Sequence, residues 1–305
     1  MSSSKRFCQF TILFVLLFSL GQCALAQQSR HTESPWYIDL AVLSSPSLAG
    51  RKAGSIGAID AAHYVQQRLT HMGYLAHIQP FEFKTGFFSQ ATGHNVITSN
   101  CANHCIVISA HHDHLGTKGT KVYPGVNDNA SGIAAMLYLA EILKPHKERI
   151  IFAAFDAEES GLHGAHYFVT QANKESLALN INLDMLKLPK KHSRLFIFTR
   201  QQLCQSALDT LNNDAIKIQL AKSNAAINRR VNDERVDWLR ASDHWAFAKQ
   251  KIPFIFVTGA HDPHYHSPTD NLDNFNLERF EDTLLLLSQF TAELLTPQCS
   301  DSDAA

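Results

Sequence analysis

The stretch Ile106-Val107-Ile108-Ser109-Ala110-His111-His112-Asp113-His114-Leu115-Gly116 constrains the chain more than any other. A β-branched apolar run breaks there, with no linker, into four polar, metal-competent side chains and a glycine. Such a run, closed by a turn signal, suits a strand buried on both faces of an α/β sheet. In open sheets of that kind ligands gather beyond the carboxyl ends of the strands. Taken alone, the stretch fits surface histidines after a strand equally well, so the rest of the chain must decide.

The same grammar recurs downstream. A strand over 149–155 ends in Asp156-Ala157-Glu158-Glu159-Ser160-Gly161, and one over 177–183 ends in Asp184. A third, over 252–257, runs into Gly259-Ala260-His261-Asp262-Pro263-His264-Tyr265-His266-Ser267-Pro268-Thr269-Asp270. Adjacent carboxylates after a buried strand are costly unless something positive faces them. Gly125-Val126-Asn127-Asp128-Asn129-Ala130-Ser131-Gly132 precedes a helix over 133–143. Asp there is a common N-cap, but Ser131 can take that task and leave Asp128 free.

Helical spacing is read over 34–45, 58–72, 162–170, 201–212 and 277–295, with a short helix opened by Ser242-Asp243-His244. Strands are read at 75–83, 95–98 and 194–199, a glycine-punctuated loop at 48–57, and a polar loop at 223–240. Strand and helix alternate, so the expected fold is an α/β class, three-layer α/β/α sandwich with a mixed, largely parallel central sheet. His111, Glu158 and Glu159, Asp184 and the His264/His266 loop then share one rim, with Asp128 between the first two. Two imidazoles and three carboxylates on one rim form a donor set that Zn²⁺ accepts. Each residue has a bland role as cap or solvated side chain; five coincidences together are far less probable.

Lys5 and Arg6, the apolar stretch Phe10–Leu20 and Ala24-Leu25-Ala26 read as a secretory signal peptide over 1–26. The apolar stretch is too short to span a bilayer comfortably. A single domain over 27–305 is expected, secreted or periplasmic, with no stable membrane insertion after cleavage. Removing the leader removes Cys8 and Cys23 and leaves Cys101, Cys105, Cys204 and Cys299, an even set that suits disulfides in an oxidising compartment. Their connectivity stays open. A formal net charge of −1 and the lack of a Lys/Arg run give no sign of nucleic acid or an anionic membrane as partner.

These motifs resemble the MH-clan zinc aminopeptidases of the bacterial leucyl aminopeptidase type, relatives of glutaminyl cyclase and glutamate carboxypeptidase, which bind two co-catalytic zinc ions. The resemblance rests on Ala110–His114, Gly125–Gly132, Phe155–Leu162, Asn182-Leu183-Asp184-Met185, Ser242-Asp243-His244 and Tyr265–Asp270, in this order. It implies His111 and Asp184 on one zinc, Glu159 and His266 on the other, and Asp128 bridging both. Three carboxylates against two divalent ions leave one positive charge for a bridging hydroxide. Glu158 would be the general base, and Asp113 would hold the ring of His111. A cis peptide between Asp113 and His114 is implied as well. The substrate implied is a peptide or protein N-terminus. Lys187 departs from the pattern, since many relatives carry glycine there, and it bears on substrate preference.

His112, His114, His163, His166, His244 and His261 are read as structural or solvated, while His264 competes with His266. A glutaminyl cyclase would typically lack His111. A carboxypeptidase of the clan needs a basic pocket, for which Arg229, Arg230 and Arg240 are the candidates. A binding ectodomain could keep the fold and lose ligands, yet all five are present. No Gly-x-Ser-x-Gly elbow or HExxH motif occurs.

Overall fold

The computed structural model describes residues 31–188, 193–212, 214–231, 236–259, 262–296 and 299. The signal peptide read at 1–26, the start at 27, His261 and part of the 223–240 loop lie outside them. The chain divides into two compact units, Met1–Ile38 and Asp39–Ala305, and the second carries every candidate site residue.

The sheet has eight strands: β1 (Ala76–Lys84), β2 (Gln90–Thr98), β3 (Cys105–His111), β6 (Ile150–Phe155), β7 (Leu177–Leu183), β8 (Arg194–Thr199), β9 (Lys217–Ala221) and β10 (Phe254–Thr258). Their order is β1-β2-β6-β3-β7-β10-β8-β9. The central run β6-β3-β7-β10 is parallel, and antiparallel pairings attach β1 and β2 on one side and β8 on the other. A two-stranded ribbon, β4 (Thr117–Lys118) with β5 (Lys121–Val122), stands apart. Every residue of β3, β6 and β10 is buried, as expected of strands covered on both faces.

Alternation along the strands sends Val107, Ile151, Ala153 and Phe155 into one core with Ala165 and Phe168 of helix His163–Gln171 and Phe247 of helix His244–Lys249. The opposite face is covered by helices Ile56–His71, Ser131–Ile142 and Leu277–Leu294. The expected three-layer sandwich is therefore the observed one. Because the four central strands are parallel, their C-terminal ends form one rim, and His111, Glu158, Asp184 and His266 follow from it.

The sequence reading and the structure differ at particular places. The helix expected over 201–212 is confined to Gln205–Thr210. The polar segment 223–240 contains a helix, Asn224–Val231, where a loop was expected. Strand β9 was not anticipated. Cys101 is bonded to Cys105 and Cys204 to Cys299, which resolves the connectivity.

Candidate metal centre

Asp128 sits at the middle of the rim on an irregular turn, Val126–Ala130, that its neighbours hold rigidly. Asp270 accepts hydrogen bonds from the Asn127 amide (2.9 and 3.1 Å) and from the Asp128 amide (3.0 Å). Ser131, the alternative cap, does not take that task; its hydroxyl donates to the Asn127 carbonyl at 2.7 Å. Asn129 caps the helix instead: its Oδ1 accepts from the Gly132 amide at 2.9 Å while its Nδ2 donates to the Leu183 carbonyl. Asp128 is thereby left free, as the sequence reading anticipated. The cis peptide expected at Asp113–His114 is found at Asp128–Asn129, in the turn that Asp270 and the Asn129 amide over-determine.

The two carboxylate oxygens of Asp128 face two separate groups. Oδ1 lies 3.4 Å from His111 Nε2, which is in turn 3.5 Å from Asp184 Oδ1. Oδ2 lies 3.2 Å from His266 Nε2, which is 3.1 Å from Glu159 Oε2. The other four residues named from the sequence thus lie around Asp128 as two pairs, His111 with Asp184 and His266 with Glu159. His114 joins them, against expectation: it is buried, its Nδ1 is 2.8 Å from Glu159 Oε1, and it forms a ligand-type triad with Asp128 and Glu159. Both imidazoles reach the second group. His266 Nε2 lies at hydrogen-bond distance from both acids, whereas His114 Nδ1 lies 2.8 Å from Glu159 and 3.7 Å from Asp128.

Asp113 is placed differently from a simple ring clamp. Its two oxygens accept the backbone amides of Glu158 (3.0 Å) and Glu159 (3.3 Å), which fixes the turn that carries both acids. Its Oδ1 is 3.5 Å from His111 Nδ1, farther than its own carbonyl at 3.2 Å. Asp113 therefore orients His111 largely through the backbone and ties β3 to the end of β6. Missed in the sequence reading were Asp270, Asn129 and Arg51. Asp270 was visible only as the last letter of the Tyr-His-x-Pro-x-Asp motif.

The donor set fits divalent cations on its own terms. Glu159 Oε1, Asp184 Oδ1 and both nitrogens of His114 are buried and make no well-aligned hydrogen bond, the 2.8 Å approach of His114 Nδ1 to Glu159 Oε1 included. Buried polar atoms left without such bonds are otherwise unfavourable. Charge in the cluster is strained accordingly. Burial pushes Glu158 well above the usual carboxylate value; His111 opposes this, and Asp243, Asp184 and Glu159 add to it. Burial would lower His111, yet Glu158 and Asp184 outweigh it and hold the imidazole well above the ordinary histidine value.

Ser242-Asp243-His244 has no triad geometry. Ser242 Oγ accepts from Asn182 Nδ2 at 2.8 Å, and Asp243 is buried with both oxygens unpartnered, its carboxyl raised to about 8 by burial. His244 is a core residue, stacked on Phe256 at 4.3 Å with Nε2 2.9 Å from the Trp238 carbonyl. Burial lowers it to about 3. A base with a depressed folded pKa is stabilising above its unfolded value near 6.5, and that contribution is lost as pH falls, because the unfolded chain takes up the proton first. At pH 5 the expected loss is about 2 kcal/mol. Urea titrations of wild type and His244→Phe between pH 7 and 4 should differ by one proton in slope, and parallel curves would contradict the assignment.

The pattern of peptidase family M28 matches residues 95–291. Aminopeptidase YwaD of Bacillus subtilis is 28% identical over 258 residues, covering 78% of this chain and 51% of its own. The zinc aminopeptidase BSAP from Bacillus subtilis superposes with a TM-score of 0.69 at 17% identity, over 86% of this chain and 95% of that one. A glutaminyl cyclase from Macrostomum lignano superposes with 0.65 at 19% identity, over 88% and 92%. These superpositions are likenesses of fold. The chain spans about half the length of the curated relatives it matches.

Proposed function

We propose, from the premise that this chain belongs to peptidase family M28, that it is a zinc-dependent aminopeptidase hydrolysing the first peptide bond of peptides and proteins. The observation that carries the reading is Asp128, one carboxylate whose two oxygens serve two His/acid groups. In this reading His111 and Asp184 would hold one zinc ion and Glu159 and His266 a second, with Asp128 available to both. Such ions lower the pKa of a bound water to around 7 and polarise a carbonyl.

The remaining work falls to the chain's own groups. Glu158, held beside the cluster by the hydrogen bond its backbone amide donates to Asp113, takes a proton from the attacking water and delivers it to the leaving amine. Beside Asp184 opens a cavity of about 230 Å³, whose apolar wall includes Met185, Val231, Val236, Trp238, Phe256 and Tyr265. It fits the side chain of an apolar N-terminal residue, with the scissile bond over the cluster. The leader-like residues 1–26 and the two disulfides favour a periplasmic or extracellular protein.

The clan alternatives find less support. None of Arg229, Arg230 and Arg240 lines the cavity; Arg240 lies over the Trp245 ring and pairs with Asp237 at 3.5 Å. Among the described residues, no basic side chain lines the cavity to receive a free carboxylate. His111, which a cyclase would typically lack, is present and engaged. One apolar-initiated peptide, with each end free or blocked, tests the reading. Acetylating the N-terminus is expected to reduce cleavage at least about a hundredfold, because the amine that positions the first bond is gone, and C-terminal amidation should change little. Cleavage that survives acetylation but stops on amidation would mean a carboxypeptidase. Loss of ammonia without cleavage from a glutamine-initiated peptide would mean a cyclase.

A further inference from the structure

Among the described residues, the cavity beside the cluster is lined by uncharged side chains apart from two carboxylates: Asp184, which belongs to the cluster, and Asp262. A free carboxylate in the wall of such a cavity would attract cationic side chains and repel anionic ones. Asp262 is not free. Lys187 Nζ donates to both of its oxygens, at 3.1 Å each, and each side chain is 2% exposed. Lys187 enters from the loop after β7, three residues beyond Asp184.

The pair is fixed on every side. The Lys187 amide donates to Asn127 Oδ1 at 2.9 Å, and Asn127 Nδ2 donates to Asp262 Oδ2 at 2.8 Å. The His264 amide donates to Asp262 Oδ1 at 3.0 Å. A buried ion pair is a poor source of stability, since well-packed apolar residues of similar volume often do as well or better. Its effect here is on the charge of the cavity wall.

We propose that Lys187 is a specificity-determining residue: by neutralising Asp262 in the wall of the cavity, it makes the cavity take uncharged side chains and reject the cationic ones that Asp262 alone would draw in. The inference rests on the aminopeptidase reading for where the first side chain lies. The geometry of the ion pair is independent of it.

The test uses the full mature chain loaded with zinc, as wild type, Lys187→Met, Asp262→Asn and the double variant. Peptides identical except for a first residue of Leu, Lys or Glu give kcat/KM ratios, and calorimetry with leucinamide and lysinamide gives binding ratios. Lys187→Met should raise the Lys-to-Leu ratio about tenfold or more, because a buried acid is left uncompensated beside the bound side chain. The double variant should return to the wild-type ratio. Asp262→Asn should raise the Glu-to-Leu ratio by a similar factor, since an ammonium then stands alone. Ratios unmoved in Lys187→Met overturn the proposal. Should that variant fail to fold, Asp262→Asn decides by the same criterion, and a Glu-to-Leu ratio equal to wild type overturns it. If wild type cleaves none of the peptides, the aminopeptidase reading fails, while the shift in amide-binding ratio still decides the role of Lys187.

Discussion

Replacing Glu158 by Gln is expected to lower kcat by about a thousandfold while the metal content stays intact. Replacing its neighbour Glu159 by Gln should instead lower the metal content. The two acids share a turn, and Asp113 holds both of their amides, so the backbone does not separate their roles. Their side chains do. Glu159 reaches His266 with one oxygen at 3.1 Å and His114 with the other at 2.8 Å, inside the ligand cluster. Glu158 belongs to neither ligand-type triad, and its raised pKa comes from burial and the surrounding acids. Gln at 158 keeps the size and hydrogen-bonding of the side chain and removes only its ability to carry a proton. Gln at 159 removes a charged donor that a cation needs. Steady-state kinetics with metal analysis on the same samples separates the two, and equal metal loss in both variants would sink the division of roles.

The rim was legible because its logic is local. Each buried strand announces itself by an apolar run; β3, β6 and β7 end abruptly in His or acid and β10 leads into the His266 loop, so parallel pairing brings His111, Glu159 and Asp184 to one rim with that loop beside them. What stayed hidden depends on contacts between distant segments. His114 looks like one histidine among several, yet Gly125, at φ +58°, lets the Asp128 turn approach its ring so closely that an added Cβ would lie 2.6 Å away. Strand β9 was missed because it is an edge strand paired only with β8, and just one of its residues is buried. Helix Asn224–Val231 was hidden by its asparagines and arginines, although Ile227 and Val231 carry the i, i+4 spacing of a packed face.

Arg51 is the extreme case, and replacing it by Met is expected to destabilise the fold by at least about 3 kcal/mol and to weaken metal binding as well. In the sequence it sits in a glycine-punctuated loop, where an arginine suggests solvent. In the structure it is among the largest fully buried side chains. Its guanidinium donates to four backbone carbonyls: Leu43, His112 at 2.8 Å, Pro124 at 2.7 Å and Gly125 at 2.9 Å. Those carbonyls belong to three separate segments, one carrying His111 to His114 and another leading into Asp128. Burial lowers Arg51 to about 10, and Asp270 leads the acids that oppose this, so the cation persists at neutral pH. Met fills the volume but strands several buried acceptors, each costing about 1–3 kcal/mol. Arg51→Lys should rescue little, because a single ammonium lacks the planar fork that addresses several directions at once. Urea denaturation with and without zinc measures both effects. The zinc-dependent gain in stability should shrink in Arg51→Met, since the Asp128 turn then has to be ordered when the cation binds. A variant within about 1 kcal/mol of wild type, with an unchanged zinc-dependent gain, would show that the turn is held by Asp270 alone.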